Sequence, residues 1–183
     1  MGRIFLVIGG RRSGKSDFAL RLGESLNGPH AFIATCPSID QEMDDRIKRH
    51  QHERNSRIWT TIEEEIKLDE VITKNGHFNL FLVDCVTLWI NNLIFHSSEK
   101  KKAFSEQMLI ELTQALLEAC SVIRGDVIFV SNETGLGVVP ENPETRFFLD
   151  LLGRCNQLLA SASEEVFMVC CGIPVKLKRG NAQ

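Results

Sequence analysis

The stretch Gly9-Gly10-Arg11-Arg12-Ser13-Gly14-Lys15-Ser16 follows an apolar run at 3–8 and leads into Asp17-Phe18-Ala19-Leu20-Arg21-Leu22. No other feature limits so tightly what this chain can fold into. The spacing G-x-x-x-x-G-K-S, with a strand pattern before it and a helical pattern after it, is that of a phosphate-binding loop. Polyphosphate has to be held without its hydration water. Consecutive backbone N–H groups at a helix N-terminus supply the donors and the positive end of the helix dipole. Lys15 then reaches the outer phosphates, and the Ser16 hydroxyl is placed to ligate Mg²⁺. The whole loop Gly9, Gly10, Arg11, Arg12, Ser13, Gly14, Lys15 and Ser16 is therefore expected to bind nucleotide.

Such a loop needs a parallel sheet behind it, and the rest of the chain provides the pattern. Short runs rich in Val, Ile and Phe at 3–8, 31–35, 78–83, 127–130 and 166–170 alternate with helical-period segments at 15–26, 39–54, 63–74, 86–95, 103–124 and 143–161. Alternation of this kind predicts an α/β fold, and continuous apolar runs predict strands buried on both faces. The segment 58–62 has strand character but is expected outside the main sheet. The C-terminal 172–178 is expected to add one more strand, and 96–102, His-Ser-Ser-Glu-Lys-Lys-Lys, reads as a surface linker between two helices.

At 183 residues and 43% hydrophobic content, residues 1–183 are expected to form one domain with one core. The net charge of −3 and the scatter of the 21 Lys and Arg give no nucleic-acid or membrane-surface footprint, so a small-molecule partner is expected. The longest apolar region, 78–95, is broken by Asp84, Asn91 and Asn92, and the N-terminus has no signal-peptide pattern, from which a cytoplasmic location is expected. None of the six cysteines forms a C-x-x-C pair, and most lie in apolar segments, which predicts reduced, buried thiols.

Two further positions carry chemistry. Asp84 ends an apolar strand pattern, where a carboxylate meets the magnesium of a bound nucleotide; by itself a strand-ending Asp also serves as a turn or helix cap. In the expected helix 39–54, Ile39, Met43 and Ile47 make one stripe, and at 100° per residue His50 falls at about 20°, Arg46 at about −20° and Arg54 at about 60°, all on that stripe. His52, at about 220°, faces the other way. An imidazole between guanidinium groups is held neutral and nucleophilic, ready to attack phosphorus, while the guanidiniums steady the transferring charge. Its plain alternative is a histidine satisfied within the structure. His30, His77 and His96 are expected at element ends or in loops, without a role.

The segments "GGRRSGKS", "IATCPSIDQEMDDRIKRHQHER", "VSNETGLGVVPENPETRFF" and "GRCNQLLASASEEVFMVCCGIPVKLK", in this order and spacing, resemble the adenosylcobinamide kinase / adenosylcobinamide-phosphate guanylyltransferase family. The resemblance runs from the first strand to about residue 178 and is weakest over 64–125. It implies an α/β fold of the P-loop NTPase type, RecA-like, with a mostly parallel central sheet and helices on both faces. It also implies ATP- or GTP-dependent phosphorylation of adenosylcobinamide, then GMP transfer from GTP to adenosylcobinamide-phosphate through a GMP-histidine. That histidine falls on His50. By the same resemblance Ala34, Thr35, Cys36, Gln51, His52, Glu53, Arg54, Glu63 and Asp84 contact GTP, Ser16 and Asp84 hold Mg²⁺, and the enzyme is a homotrimer.

Glu133, Gly135 and Gly137, after the fourth strand, either line the corrinoid side or belong to an ordered turn whose glycines only satisfy φ > 0. Arg11, Arg49 and Cys155 depart from the family's commoner pattern without removing a donor, nucleophile or metal ligand. Two rivals stay open on the residues alone. A small-metabolite kinase explains the loop but gives Arg46, His50 and Arg54 no shared task, and a regulatory GTP switch lacks an N-K-x-D guanine motif here.

Overall fold

The computed structural model describes residues 2–36 and 58–179. Its strands are β1 (Ile4–Gly9), β2 (His30–Ala34), β3 (Trp59–Glu63), β4 (Leu80–Asp84), β5 (Asp126–Asn132), β6 (Glu165–Cys170) and β7 (Ile173–Lys178). They form one sheet in the order β3-β2-β4-β5-β1-β6-β7. The first six run parallel and β7 joins the edge antiparallel. The helices are α1 (Lys15–Glu24), α2 (Leu68–Lys74), α3 (Val86–Glu99), α4 (Glu106–Val122) and α5 (Pro143–Ala162). The mostly parallel sheet with helices on both faces is the expected fold.

The strand period of two divides the core cleanly. Phe5, Val7, Leu80, Leu82, Ile128 and Val130 point to the face that α1 covers through Ala19. Leu6, Phe81, Val83, Val127 and Phe129 point to the face covered by α2 to α5, with Trp89, Ile90, Leu109, Leu116 and Leu152 packed on them. Gly23 lets α1 lie close: a Cβ there would stand 2.8 Å from both Leu80 and Trp59. Among the described residues no helix is long and apolar enough to cross a membrane.

Several expectations need correction. Residues 59–63 are not outside the sheet; β3 is its edge strand, parallel to β2 with Ala34 opposite Glu63. The helix expected from 63 begins only at Leu68, because Glu63 completes β3 and the Glu64 carboxylate accepts the N–H groups of Ile66 and Lys67, turning the chain first. Half of the expected linker 96–102 is helix, since α3 runs on to Glu99. Ser105 caps α4 by accepting the Met108 N–H, so that helix starts at Glu106 rather than 103.

The cysteines differ in exposure, with Cys36 half-buried. Cys85, Cys120 and Cys155 are buried and pushed up to about 12 by desolvation, whereas Cys170 and Cys171 are exposed. His30 stands at an element end as expected, opening β2, where it is buried and lies 4.9 Å from the Trp59 ring. The expected helix 39–54, with Arg46, Arg49, His50, Gln51, His52, Glu53 and Arg54, lies outside the described residues.

Candidate nucleotide site

Six parallel strands end at one edge, and they bring together residues far apart in sequence. Gly9 stands opposite Asn132 of β5 and Val169 of β6, Asp84 opposite Ala34 and Val130, and Ala34 opposite Glu63. The C-terminal edge of an open α/β sheet is where ligands bind. Here it carries the loop from Gly9 to Ser16, Ala34-Thr35-Cys36, Glu63, Asp84 and Asn132-Glu133.

The phosphate loop is tightly turned. Ser13 N–H donates to the Gly10 carbonyl at 3.2 Å, and Arg12 and Gly14 take left-handed φ angles of 59° and 88°. Gly14 is the N-cap of α1 without a side-chain cap, so the helix presents its first N–H groups to whatever the loop encloses. The Lys15 ammonium donates to the Gly10 carbonyl at 3.3 Å, which holds the cation against the loop. The Ser13 hydroxyl is buried with no hydrogen-bond partner among the described residues. Arg11 and Arg12 are exposed, and Ser16 is half-buried in the first turn of α1.

One strand, β5, separates Asp84 from the loop strand β1. Asp84 is half-buried, and both it and Lys15 act on the thiol of Cys85: the carboxylate raises its pKa and the ammonium lowers it, both less than burial does. The peptide from Asp84 to Cys85 is cis. Thr35 fastens this turn, donating its hydroxyl to the Cys85 carbonyl at 2.9 Å and accepting the Cys85 N–H at 2.7 Å, while its own N–H donates to the Asp84 carbonyl at 3.2 Å. Its carbonyl accepts from the Asn92 amide at 2.8 Å. Thr35 is fully buried and every polar group on it is used in fastening the turn that follows Asp84. Ala34 and Cys36 are half-buried beside it, and Glu63 is exposed.

Sequence reasoning missed this clamp and a second one. Thr87 accepts the Asn132 N–H at 2.8 Å, and the Asn156 amide donates to the Asn132 carbonyl at 3.0 Å. The one available signal was polar residues inside otherwise apolar helices. Glu133 donates its N–H to the Gly9 carbonyl at 3.1 Å, and its carboxylate accepts from Gly135. A cavity of about 570 Å³, lined by Arg3, Asn27, His77, Asn79 and Arg124 among others, opens at the opposite edge of the sheet and is separate from this site.

A chain that turns a phosphate loop into the sheet beside a strand-ending carboxylate is a nucleotide-binding domain of the P-loop type. Which one is decided by comparison: the family model for cobinamide kinase / cobinamide phosphate guanyltransferase, CobU, matches residues 5–177. The chain belongs to this family. It is 39% identical to the bifunctional adenosylcobalamin biosynthesis protein CobU of Escherichia coli K12, over 96% of this chain and 99% of that one. With the protein CobP of the same description from Pseudomonas aeruginosa it shares 37%, over 94% and 96%. Among solved structures, an ATPase described as prototypical of the type III secretion system of pathogenic bacteria superposes at a TM-score of 0.58 with 11% identity. That match covers 96% of this chain and 57% of the other, a likeness of fold alone.

Proposed function

We propose that this chain carries both family activities in one domain spanning residues 1–183: phosphorylation of adenosylcobinamide by ATP or GTP, and transfer of GMP from GTP to adenosylcobinamide-phosphate, giving adenosylcobinamide-GDP and pyrophosphate. The observation that carries the reading is the turned loop at 9–16 set beside Asp84 on one sheet edge, in a chain matched to the family from 5 to 177.

In the kinase step the loop N–H groups and Lys15 hold the triphosphate in line with the corrinoid's hydroxyl. Two oxygen donors, the Ser16 hydroxyl and the Asp84 carboxylate, suit Mg²⁺, which takes few protein ligands and completes its shell with water and phosphate. When bound it neutralises charge between the phosphates. The unpartnered Ser13 hydroxyl is one more donor available to the phosphates. In the guanylyl step His50 attacks the α-phosphorus, pyrophosphate leaves, and the phosphate of the corrinoid displaces the imidazole. Gln51, His52, Glu53, Arg54, Ala34, Cys36 and Glu63 complete the guanosine contacts, and Glu133 lies on the corrinoid side. We assign the enzyme to the cytoplasm as a homotrimer.

Offering γ-labelled ATP and α-labelled GTP in parallel reactions with adenosylcobinamide tests the reading. Label should reach the corrinoid from both, and Lys15→Ala should suppress both. A simple metabolite kinase would pass on only the γ-label, and either that result or no transfer at all would overturn the assignment.

A further inference from the structure

The connection between β6 and β7 is a two-residue hairpin loop, Cys171-Gly172, closed by the Cys170–Ile173 pair. Both loop residues have positive φ, 52° and 79°, as a type I′ turn requires. For Cys171 that conformation is strained, since it is no glycine. The side chains of Cys170 and Cys171 are exposed, with their sulfurs 3.8 Å apart. This same turn props the phosphate loop. Gly172 N–H donates to the Ser13 carbonyl at 2.8 Å, and the Gly172 Cα lies 3.2 Å from where a Cβ on Gly14 would stand.

We propose that Cys170 and Cys171 form a dithiol modification site, which a small disulfide of the glutathione type oxidises to a vicinal disulfide, loosening the nucleotide loop. The Cys171 thiolate attacks one sulfur of the small disulfide. A protein–small-molecule disulfide forms, and the displaced thiolate takes a proton from solvent. The Cys170 thiol then loses its proton to solvent and attacks the Cys171 sulfur, expelling a second small thiolate, which is protonated in turn. Two protein thiols are oxidised and one disulfide is reduced to two thiols. Hydrogen bonding to the neighbouring Cys171 sulfur raises the pKa of the Cys170 thiol. The buried thiols of Cys85, Cys120 and Cys155 do not compete.

The geometry makes the product labile and consequential. Neighbouring Cα atoms across a trans peptide stand about 3.8 Å apart, less than the roughly 4.4–6.8 Å a relaxed disulfide spans. The sulfurs must close from 3.8 Å to about 2.0 Å. The backbone of the turn has to move to allow this, and with it the Gly172 bond to Ser13. Strained, exposed disulfides have more oxidising potentials and are readily reduced again.

The test incubates the full-length protein with oxidised glutathione, maps its cysteines by mass spectrometry, and titrates a fluorescent GTP analogue before and after. The expected result is loss of two hydrogens on the peptide holding 170 and 171, a several-fold weaker nucleotide affinity, and recovery with dithiothreitol. A C170S/C171S double variant should keep its affinity throughout. A glutathione adduct that never resolves, no modification of this pair, an internal disulfide without change in affinity, or equal loss in the double variant would each overturn the proposal.

Discussion

Thr35 shows how a fully buried residue sets the geometry of a site. Replacing it by Val leaves the Cys85 N–H without its partner in a buried turn, although the Cys85 carbonyl keeps the Trp89 N–H. Orphaned groups of this kind cost about 1–3 kcal/mol. Thr35→Val should therefore lower unfolding stability by roughly 2 kcal/mol in urea titrations and weaken nucleotide binding, because Asp84 shares the turn, whereas Thr35→Ser should restore both. Unchanged binding in a destabilised Val variant would separate the turn from the site. The phosphate loop was legible because its chemistry demands contiguous residues. The clamps were not: Thr35 meets Cys85 across 50 positions and Asn92 across 57, separations that no local pattern encodes. His30 adds a dependence on pH. Burial lowers its pKa from the ordinary 6.5, against smaller opposing effects of the Leu26 backbone and the Glu24 carboxylate. The unfolded chain thus takes up the proton first, and stability that is complete above pH 6.5 should fall as pH drops through and below that value. Melting temperatures of the wild type and of His30→Phe between neutral and mildly acid pH check this; the variant should show a flatter profile, and parallel curves would contradict the assignment.

At the scale of elements, α1 has two duties: its N-terminus forms the phosphate loop, and its body seats on Leu80 and Trp59 through Gly23. An alanine at 23 gains about 1 kcal/mol of helix propensity, but its Cβ meets both neighbours at 2.8 Å, and overpacking costs about 1–3 kcal/mol. The second effect should win. Gly23→Ala should unfold at lower urea concentration than wild type and bind nucleotide less tightly, since the helix cannot lift from the sheet without moving its N-terminus; a stabilised variant would show that the contact relaxes freely. Strand positions were readable where runs are apolar throughout, as in β4 and β5. Residues 58–62 showed strand character but not membership of the sheet, because β3 as an edge strand exposes Thr60, Thr61 and Glu63 and lacks a continuous apolar run. The helix after it was placed too early for a local reason, the Glu64 carboxylate taking the place of a helical turn.

For the whole molecule, the edge strand β7 leaves Ile173, Val175 and Leu177 more than half exposed, and Leu136, Val138 and Val139 of the loop after β5 are exposed as well. Exposed apolar groups of this kind suit the subunit contact that the trimer proposed above would need. Light scattering should give three chains per particle for the wild type and fewer for Ile173→Lys/Leu177→Lys with its far-ultraviolet spectrum unchanged; a wild-type monomer would contradict it. The α/β class and family were legible because loop, strand ends and helix periods agree across the chain. Covalent catalysis at His50 is the claim on which the account of two activities in one domain rests. Intact-protein and peptide mass spectrometry after incubation with GTP and Mg²⁺, without corrinoid, tests it most directly. The account predicts one added GMP, mapped to His50, labile to acid and absent in His50→Ala. No adduct, or an adduct that persists in the variant, would contradict it.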